Sequence, residues 1–362
     1  MSRSKYQTVD PQAPPEPKRV LKMVLLVGSI MAMAVILSLA TVLTGRPDVA
    51  PLIRVATIPE DKKLSAETER RLIIVGDVHG QLHEFKKLLK EVRFDKKKDL
   101  VVLLGDFTTK GPDSLDLIDK AIDIGAMCVR GNHEDELVSL YAEAHHLDIP
   151  KTYPPHASAT TITFGEQPTP TLDPTPGPKR DDDSKLPFPD YSHEAPNPNF
   201  EVEVADRHRD WPLAKKMKKH HMKYIQNCPS VLELGNVSKR GINGVACHGG
   251  LVWHQRDLED QDPEVTLRIR GLLPPNYMQP SEGKDGEAWY KYWGDEQRRR
   301  PKNERYQVFY GHDASKGLQL HKYSRGLDSR CVKGGELSAY VITVDSKGHF
   351  HEKLHQVDCS AA

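Results

Sequence analysis

The sequence predicts an α/β catalytic domain behind an N-terminal transmembrane helix. Three observations carry this: a charge-free apolar run from Met23 to Leu43, a regular alternation of strand-like and helix-like segments beginning at Arg71, and short Gly, Asp, Asn and His turns where the strand-like runs end. The chain has 362 residues, 51 Lys+Arg against 51 Asp+Glu and 38% hydrophobic residues, which suits one large domain with extensions. A formal net charge of zero removes any global argument for nucleic acid, and none is expected as a partner.

Residues 1–22 are polar and carry the proline-containing stretch PQAPPEPK, as a disordered tail does. The run MVLLVGSIMAMAVILSLATVL follows at residues 23–43. At about 1.5 Å per helical residue it spans a hydrocarbon core of about 30 Å. It is too long for the apolar region of a cleaved signal peptide, typically about 7–15 residues. Arg3, Lys5, Lys18, Arg19 and Lys22 precede it and Arg46 is the nearest basic residue after it, so the tail is expected in the cytosol and the domain on the lumenal or exterior side, as in a single-pass type II protein. The Asn236-Val237-Ser238 sequon agrees, making Asn236 a candidate glycosylation site. Residues 44–70 form the linker and residues 71–362 the lumenal domain.

Within the domain, LIIV at 72–75 is a buried strand, LHEFKKLLKEV an amphipathic helix and DLVVLLGD a second strand, making a βαβ unit. A helix over about 114–124 and the strand AMCVRGN continue the pattern, which predicts parallel strands with covering helices. Residues 150–199 are rich in proline (QPTPTLDPTPGPKRDDD, LPFPD, APNPN) and poor in aliphatics, so they are expected to form a mobile surface insertion. Regular pattern resumes with the helix LAKKMKKHHMKYIQN and the strands VLEL, GVACHGGL, QVFYGHD and ELSAYVITV. Five cysteines, widely spaced and without a CxxC pair, predict isolated thiols; one disulfide remains open if the domain lies in an oxidising lumen, with no partner choice available.

The chemistry gathers at Gly76-Asp77-Val78-His79-Gly80, Gly105-Asp106, Gly131-Asn132-His133-Glu134, His248-Gly249-Gly250 and Gly311-His312. Asp77, Asp106 and Asn132 follow one another at intervals of about 30 residues, the length of a βαβ unit. Their side chains therefore converge at the carboxyl ends of neighbouring strands, where open α/β sheets place their sites. Asp77 and His79, two apart on extended chain, point to one side and can share a metal. A lone GD or GNH is ordinarily a turn. Five such turns in order after buried strands are a site.

GDVHG, GDFTTKGPDS and VRGNHE resemble the three signatures of the phosphoprotein-phosphatase-type metallophosphoesterases. The form GDxxxKGPxS, the segment LAKKMKKHHMKYIQNCPSVLEL and GLDSRCVKGGELSAYVI are similar to the diadenosine-tetraphosphatase-like branch, and with the anchor to its fungal vacuolar, zinc-dependent endopolyphosphatases. The resemblance spans nearly all of residues 71–345. It implies a four-layer α/β/β/α sandwich and two divalent metal ions, zinc first, with manganese, cobalt or magnesium also compatible with Asp, Asn and His ligands. It implies Asp77, His79 and Asp106 at the first metal, and Asp106, Asn132, His248 and His312 at the second. His133 would protonate the leaving oxygen during in-line attack by a metal-bridging hydroxide. Lys110 is a candidate phosphate contact; Arg130 is equally a phosphate contact or a structural ion-pair residue. The expected reaction is internal cleavage of inorganic polyphosphate, with a dinucleoside-polyphosphate or RNA-cap pyrophosphohydrolase, then a protein Ser/Thr phosphatase, as the alternatives.

One departure sharpens this expectation. The protein-phosphatase signature has Asp-Arg where this chain has Thr109-Lys110, so the carboxylate that would orient the catalytic His is replaced. A phosphate is a far better leaving group than a serine alkoxide, which points to anhydrides. The basic runs at Lys86, Lys87 and Lys90, Lys96–Lys98, Lys215–Lys223 and Arg298–Arg300 read as solvated faces, or as polyanion contacts if they share a groove. Trp253, Trp289, Trp293, Tyr306 and Phe309 read as core, or as a stacking surface for a nucleobase.

Overall fold

The computed structural model describes residues 49–67, 70–149 and 200–361, together with residues 28, 29, 31, 160 and 161. The expected anchor and the proline-rich insertion therefore lie almost wholly outside the described residues, among which no helix is long and apolar enough to cross a membrane. In chain order the elements are β1 (Val55–Thr57), β2 (Arg71–Val75), α1 (Leu82–Glu91), β3 (Asp99–Leu103), α2 (Ser114–Ile124), β4 (Met127–Cys128), α3 (Asn132–His145), β5 (Thr160–Thr161), α4 (Phe200–Lys216), α5 (Lys219–Gln226), β6 (Val231–Asn236) and β7 (Asn243–Cys247). There follow α6 (Pro263–Arg268), β8 (Gly271–Leu273), β9 (Gln279–Ser281), β10 (Glu287–Ala288), α7 (Trp289–Arg299), β11 (Tyr306–Tyr310), β12 (Gln319–His321), β13 (Ser324–Gly326), β14 (Glu336–Val344) and β15 (Phe350–Asp358).

Successive side chains of a strand point to opposite faces, and this alternation builds the layers. Leu72 and Ile74 of β2 pack with Leu232, Ala246 and Phe309 in a core between a five-stranded sheet, ordered β15-β14-β2-β3-β4, and a seven-stranded sheet, ordered β12-β13-β11-β7-β6-β1-β5. Ile73 and Val75 turn the other way, onto Phe85 and Leu88 of α1 and Leu117, Ile118 and Ala121 of α2. On the far side Val245, Cys247, Val308 and Tyr310 pack against Trp289 and Trp293 of α7. The result is helices, sheet, sheet, helix. Each aliphatic buried this way contributes roughly 1.5–3 kcal/mol, which is why strict alternation is sufficient to fix the layering.

Strands β2, β3 and β4 run parallel, as do β7 and β11, so Asp77, Asp106, Asn132, His248 and His312 all follow the carboxyl ends of their strands. Both sheets are nonetheless mixed: β14 runs antiparallel to β2, and β6 antiparallel to β7. The expected helix LAKKMKKHHMKYIQN is two helices. Lys218 is extended (φ −98°, ψ 163°) and its N–H donates to His221 Nδ1 at 3.0 Å, so the His221 ring caps a new helix start.

The cysteine expectation is corrected. Cys128 is bonded to Cys228 and Cys331 to Cys359, with Cys247 free and buried. The first pair, 100 residues apart in sequence, ties the end of β4 to the residue that leads into β6; the second ties the loop after β13 to the last strand. Only the folded arrangement brings either pair together.

Candidate metal centre

Asp106 lies at the middle of the site. Its Oδ1 is 3.1 Å from His248 Nε2, while its Oδ2 lies 3.7 Å from His79 Nε2 and 3.9 Å from His133 Nε2. Each carboxylate oxygen therefore faces a different imidazole group: His79 with His133, and His248 with His312. The histidine tautomers follow from their outer partners, because a backbone carbonyl can only accept. His79 Nδ1–H donates to Thr108 O at 3.1 Å, His248 Nδ1–H to Leu104 O at 2.7 Å, and His312 Nε2–H to Arg268 O at 2.9 Å. The Nε2 atoms of His79 and His248 are left to face Asp106.

Backbone geometry holds these groups at some cost. His79 (φ 46°), Asp106 (φ 47°) and His312 (φ 73°) all sit in the left-handed region, as do Thr109 and Lys110, an arrangement worth roughly 1–3 kcal/mol of strain per residue. Two glycines are required by close approach. A Cβ at Gly311 would stand 2.1 Å from Asp77 Oδ1, and one at Gly131 would stand 2.3 Å from Asp106 N. The Gly311–His312 turn thereby reaches across from the second sheet, and the His312 N–H donates to both oxygens of Asp77 at 3.2 and 3.1 Å.

Glu134 organises the loops. Fully buried at N3 of α3, its Oε2 accepts from Asp106 N at 2.7 Å and from Gly131 N at 3.1 Å, while its Oε1 accepts from Thr108 N at 2.9 Å and Thr108 Oγ1 at 2.6 Å. One carboxylate thus pins the turn that carries Asp106 to the turn that carries Asn132 and His133.

The calcineurin-like phosphoesterase profile matches residues 70–352. The chain belongs to that family. Among curated proteins, the zinc-dependent endopolyphosphatase of Saccharomyces cerevisiae is 27% identical over 325 residues, covering 86% of this chain and 88% of the relative. A symmetrical bis(5'-nucleosyl)-tetraphosphatase of Hamiltonella defensa is 42% identical over only 71 residues, 19% of this chain and 26% of its own length. Among solved structures, a candidate diadenosine tetraphosphatase superposes with a TM-score of 0.54 at 24% identity, over 86% of this chain and 100% of its own, and shows the fold. This calcineurin-like phosphoesterase is a hydrolase of phosphoanhydrides or phosphoesters, and its family binds two divalent metal ions.

The phosphoesterase's own donor set fits such ions. His248 Nε2 lies 3.1 Å from both Asn132 Oδ1 and Asp106 Oδ1, so three groups that offer lone pairs to a metal converge on one point. Without a cation, only a proton on His248 reconciles them: burial opposes that proton, but Asp106 outweighs it and raises the His248 pKa. Burial, then the charges of Asp328 and Asp106, push the Asp77 carboxyl well above its ordinary value, and burial with Asp106 raises Glu134 to about 7. So many enclosed carboxyls lack cationic charge. His79, through burial and the nearby Lys110, and His312, through burial, His248 and Arg270, are held well below their ordinary pKa and remain neutral, the form a metal requires.

All the site residues expected from sequence are placed. Asp77 is 4% exposed beside the cluster, with its oxygens turned to the His312 amide. Lys110 donates from Nζ to His79 Nε2 at 3.1 Å, so its ammonium takes the lone pair that faces the Asp106 side. Of the two roles open for Arg130, its contacts match the structural one: 2% exposed, it pairs with Asp135 at 3.4 Å and donates to Ile225 O at 3.2 Å, joining β4 to α3 and α5. Asn236 is exposed at the end of β6, its Oδ1 accepting from Ser238 N at 3.0 Å. Trp289, Trp293 and Phe309 are core residues and offer no face to a base, while Trp253 and Tyr306 are half-buried, with Trp253 Nε1 donating to Tyr277 O.

Three residues were missed. Glu134 was visible in the motif but had no assigned work. Asp328, in the quoted GLDSRC, is 6% exposed next to Leu327, whose carbonyl oxygen a Cβ at Gly76 would meet at 2.2 Å. Arg270 lines a small cavity with Asp328 and Gly311 and depresses the His312 pKa. No local signal marks Arg270, because it enters from the small sheet β10-β8-β9. A third grouping, Asp119 with His220 and His221, is not a metal site: His221 Nδ1 accepts from Lys218 N, so its Nε2 carries the hydrogen that it donates to Asp119.

Proposed function

We propose that this phosphoesterase is a zinc-dependent endopolyphosphatase that hydrolyses phosphoanhydride bonds within inorganic polyphosphate. The observation that carries the reading is the doubled arrangement on Asp106, rimmed by the cations Lys110 and Arg270, in a chain with Thr109 where a carboxylate would serve protein-phosphatase chemistry. The likeness to the yeast zinc-dependent endopolyphosphatase along most of both chains supports it. The buried positions of Trp289, Trp293 and Phe309 favour it over a nucleotide substrate.

Asp77, His79 and Asp106 would hold one ion, and Asp106, Asn132, His248 and His312 the other. Bound there, the ions supply Lewis-acid stabilisation of phosphoryl oxygens and acidify water. The chain's own groups do the rest. Lys110 and Arg270 neutralise phosphates on either side of the reacting one, Lys110 as a compact point charge that suits a run of similar groups. His133 gives its proton to the leaving phosphate oxygen as the P–O bond breaks, and water's oxygen joins the attacked phosphorus, leaving two shorter chains.

Residues 23–43 would anchor the protein, with the domain in a lumen, the vacuole by the family resemblance. Two disulfides support an oxidising compartment. The test is chain-length analysis on a gel after incubating the purified protein with long-chain polyphosphate and zinc, with Asp106→Asn as control. Intermediate lengths, absent with the variant, establish internal cleavage. Intact polymer beside rapid cleavage of a dinucleoside polyphosphate would move the activity to the nucleotide class.

A further inference from the structure

Two of the basic runs read from sequence lie away from the metal centre or are paired. Lys96–Lys98 precede β3, whereas Asp106 follows it, so about 17 Å of strand separates them. Arg298 and Arg300 pair with Asp295 and Glu296. Lys87 and Lys90 of another run do assemble with further basic residues, in an open groove of about 740 Å³ between α1 and the face of β14 and β15.

Alternation along β15 builds one wall. Phe350 and Leu354 turn toward the inter-sheet core, and Glu352 accepts from Tyr340 Oη, so His351, Lys353 and His355 stand in a row on the other face at intervals of about 7 Å. The other wall is α1, where Lys87 and Lys90, three apart and hence on one helical face, are continued by Arg93. Glu91 is the one acid in the lining. It faces His355 at 3.5 Å, and Arg71 on the floor is neutralised by a two-pronged contact with Asp99. Lys90, Arg93 and Lys353 have no carboxylate partner among the described residues. The floor of Val341, Thr343 and Val357 is neutral.

Register places the groove relative to the site. Val75, two residues before Asp77, is level with Ala339 and His355, while Arg71 is level with Thr343 and His351. The groove therefore starts just below the metal centre and leads away along the sheet for about 13 Å. Gln81, one residue past the Asp77–Gly80 turn, donates to Ser360 O and ties that turn to the segment after β15 at the groove's near end. Lysine on an edge strand also discourages edge pairing, but that role needs no facing basic row on a helix.

We propose that this groove is a second binding track for a long linear polyanion, the phosphate chain of the substrate class proposed above, engaged away from the reacting bond. It rests on the polyphosphate reading. A chain longer than the metal centre can hold gains affinity from the groove, whereas a short one gains none. Exposed cations confer this affinity through counterion release, so it is salt-dependent.

The test compares the full chain with Lys90→Glu/Arg93→Glu/Lys353→Glu on long-chain polyphosphate and on tripolyphosphate. The expected result is a KM for the long polymer raised about tenfold or more, a shallower dependence of log(kcat/KM) on log[salt], and unchanged tripolyphosphate kinetics, which also certify folding. Equal kinetics on the long polymer, or equal losses on both substrates, would overturn the track; for the second outcome Lys353→Gln alone separates misfolding from true indifference to length. Binding of the long polymer to Asp106→Asn, with and without the three substitutions, reads the groove even if no polyphosphate is cleaved. Loss of binding to anionic vesicles with polymer binding intact would assign the groove to a membrane surface instead.

Discussion

Replacing Glu134 by Gln changes one oxygen to an NH2 group in a place where every neighbour is a donor. Two placements of the amide exist. With nitrogen at the Oε2 position, Asp106 N and Gly131 N both lose their acceptor. With nitrogen at the Oε1 position, Thr108 Oγ1 can rotate to accept and only Thr108 N is stranded. The second placement costs less. One buried N–H without a partner is worth about 1–3 kcal/mol, a large part of a typical stability of about 5–15 kcal/mol. Because the same loops carry Asp106, Asn132 and His133, metal affinity is expected to fall about 10–100-fold, as when a group that orients a ligand is removed. Urea denaturation of the metal-free protein and zinc titration measure the two effects. A Glu134→Gln protein as stable as the parent, with unchanged zinc affinity, would refute the role given to this carboxylate.

His133→Ala is expected to lower kcat on polyphosphate by about 10²–10⁴ with little change in zinc content, measured by steady-state kinetics and metal analysis; an unaltered kcat removes His133 as the proton donor. Cys128→Ser opens a loop closed across 100 residues and is expected to cost about 4–5 kcal/mol of unfolding free energy, read by denaturant titration beside the untreated parent. Compared with its Glu134→Gln variant, in which the opposing contributions of buried, neutral His79 and His312 cancel, the metal-free protein is expected to lose stability as pH rises from 4.5 through 7. Glu134, raised by burial and Asp106 to about 7, binds its proton more tightly folded than unfolded in that window, a difference of about 3 kcal/mol. Bound zinc supplies the missing positive charge, so a thermal-melt series with zinc should be markedly flatter than one with chelator; parallel series would contradict the account.

What the sequence determined by itself is what local pattern encodes. Alternation in LIIV and DLVVLLGD sets which faces are buried, and the Gly-Asp and Gly-Asn-His turns at βαβ spacing place Asp77, Asp106, Asn132 and His133 at one edge, so strand, face and site edge were legible before any contact was known. His248 and His312 were found the same way because they too follow buried strands. Tertiary structure decided everything that depends on partners far apart in the chain. It chose Cys128 with Cys228, and it turned Arg130 inward to Asp135 and Ile225, since nothing local distinguishes a buried arginine from a phosphate contact. It also brought Arg270 to His312 from a separate small sheet and set Lys353 opposite Lys90, because side chains meet through the packing of layers, and packing is a property of pairs of elements that no single segment carries.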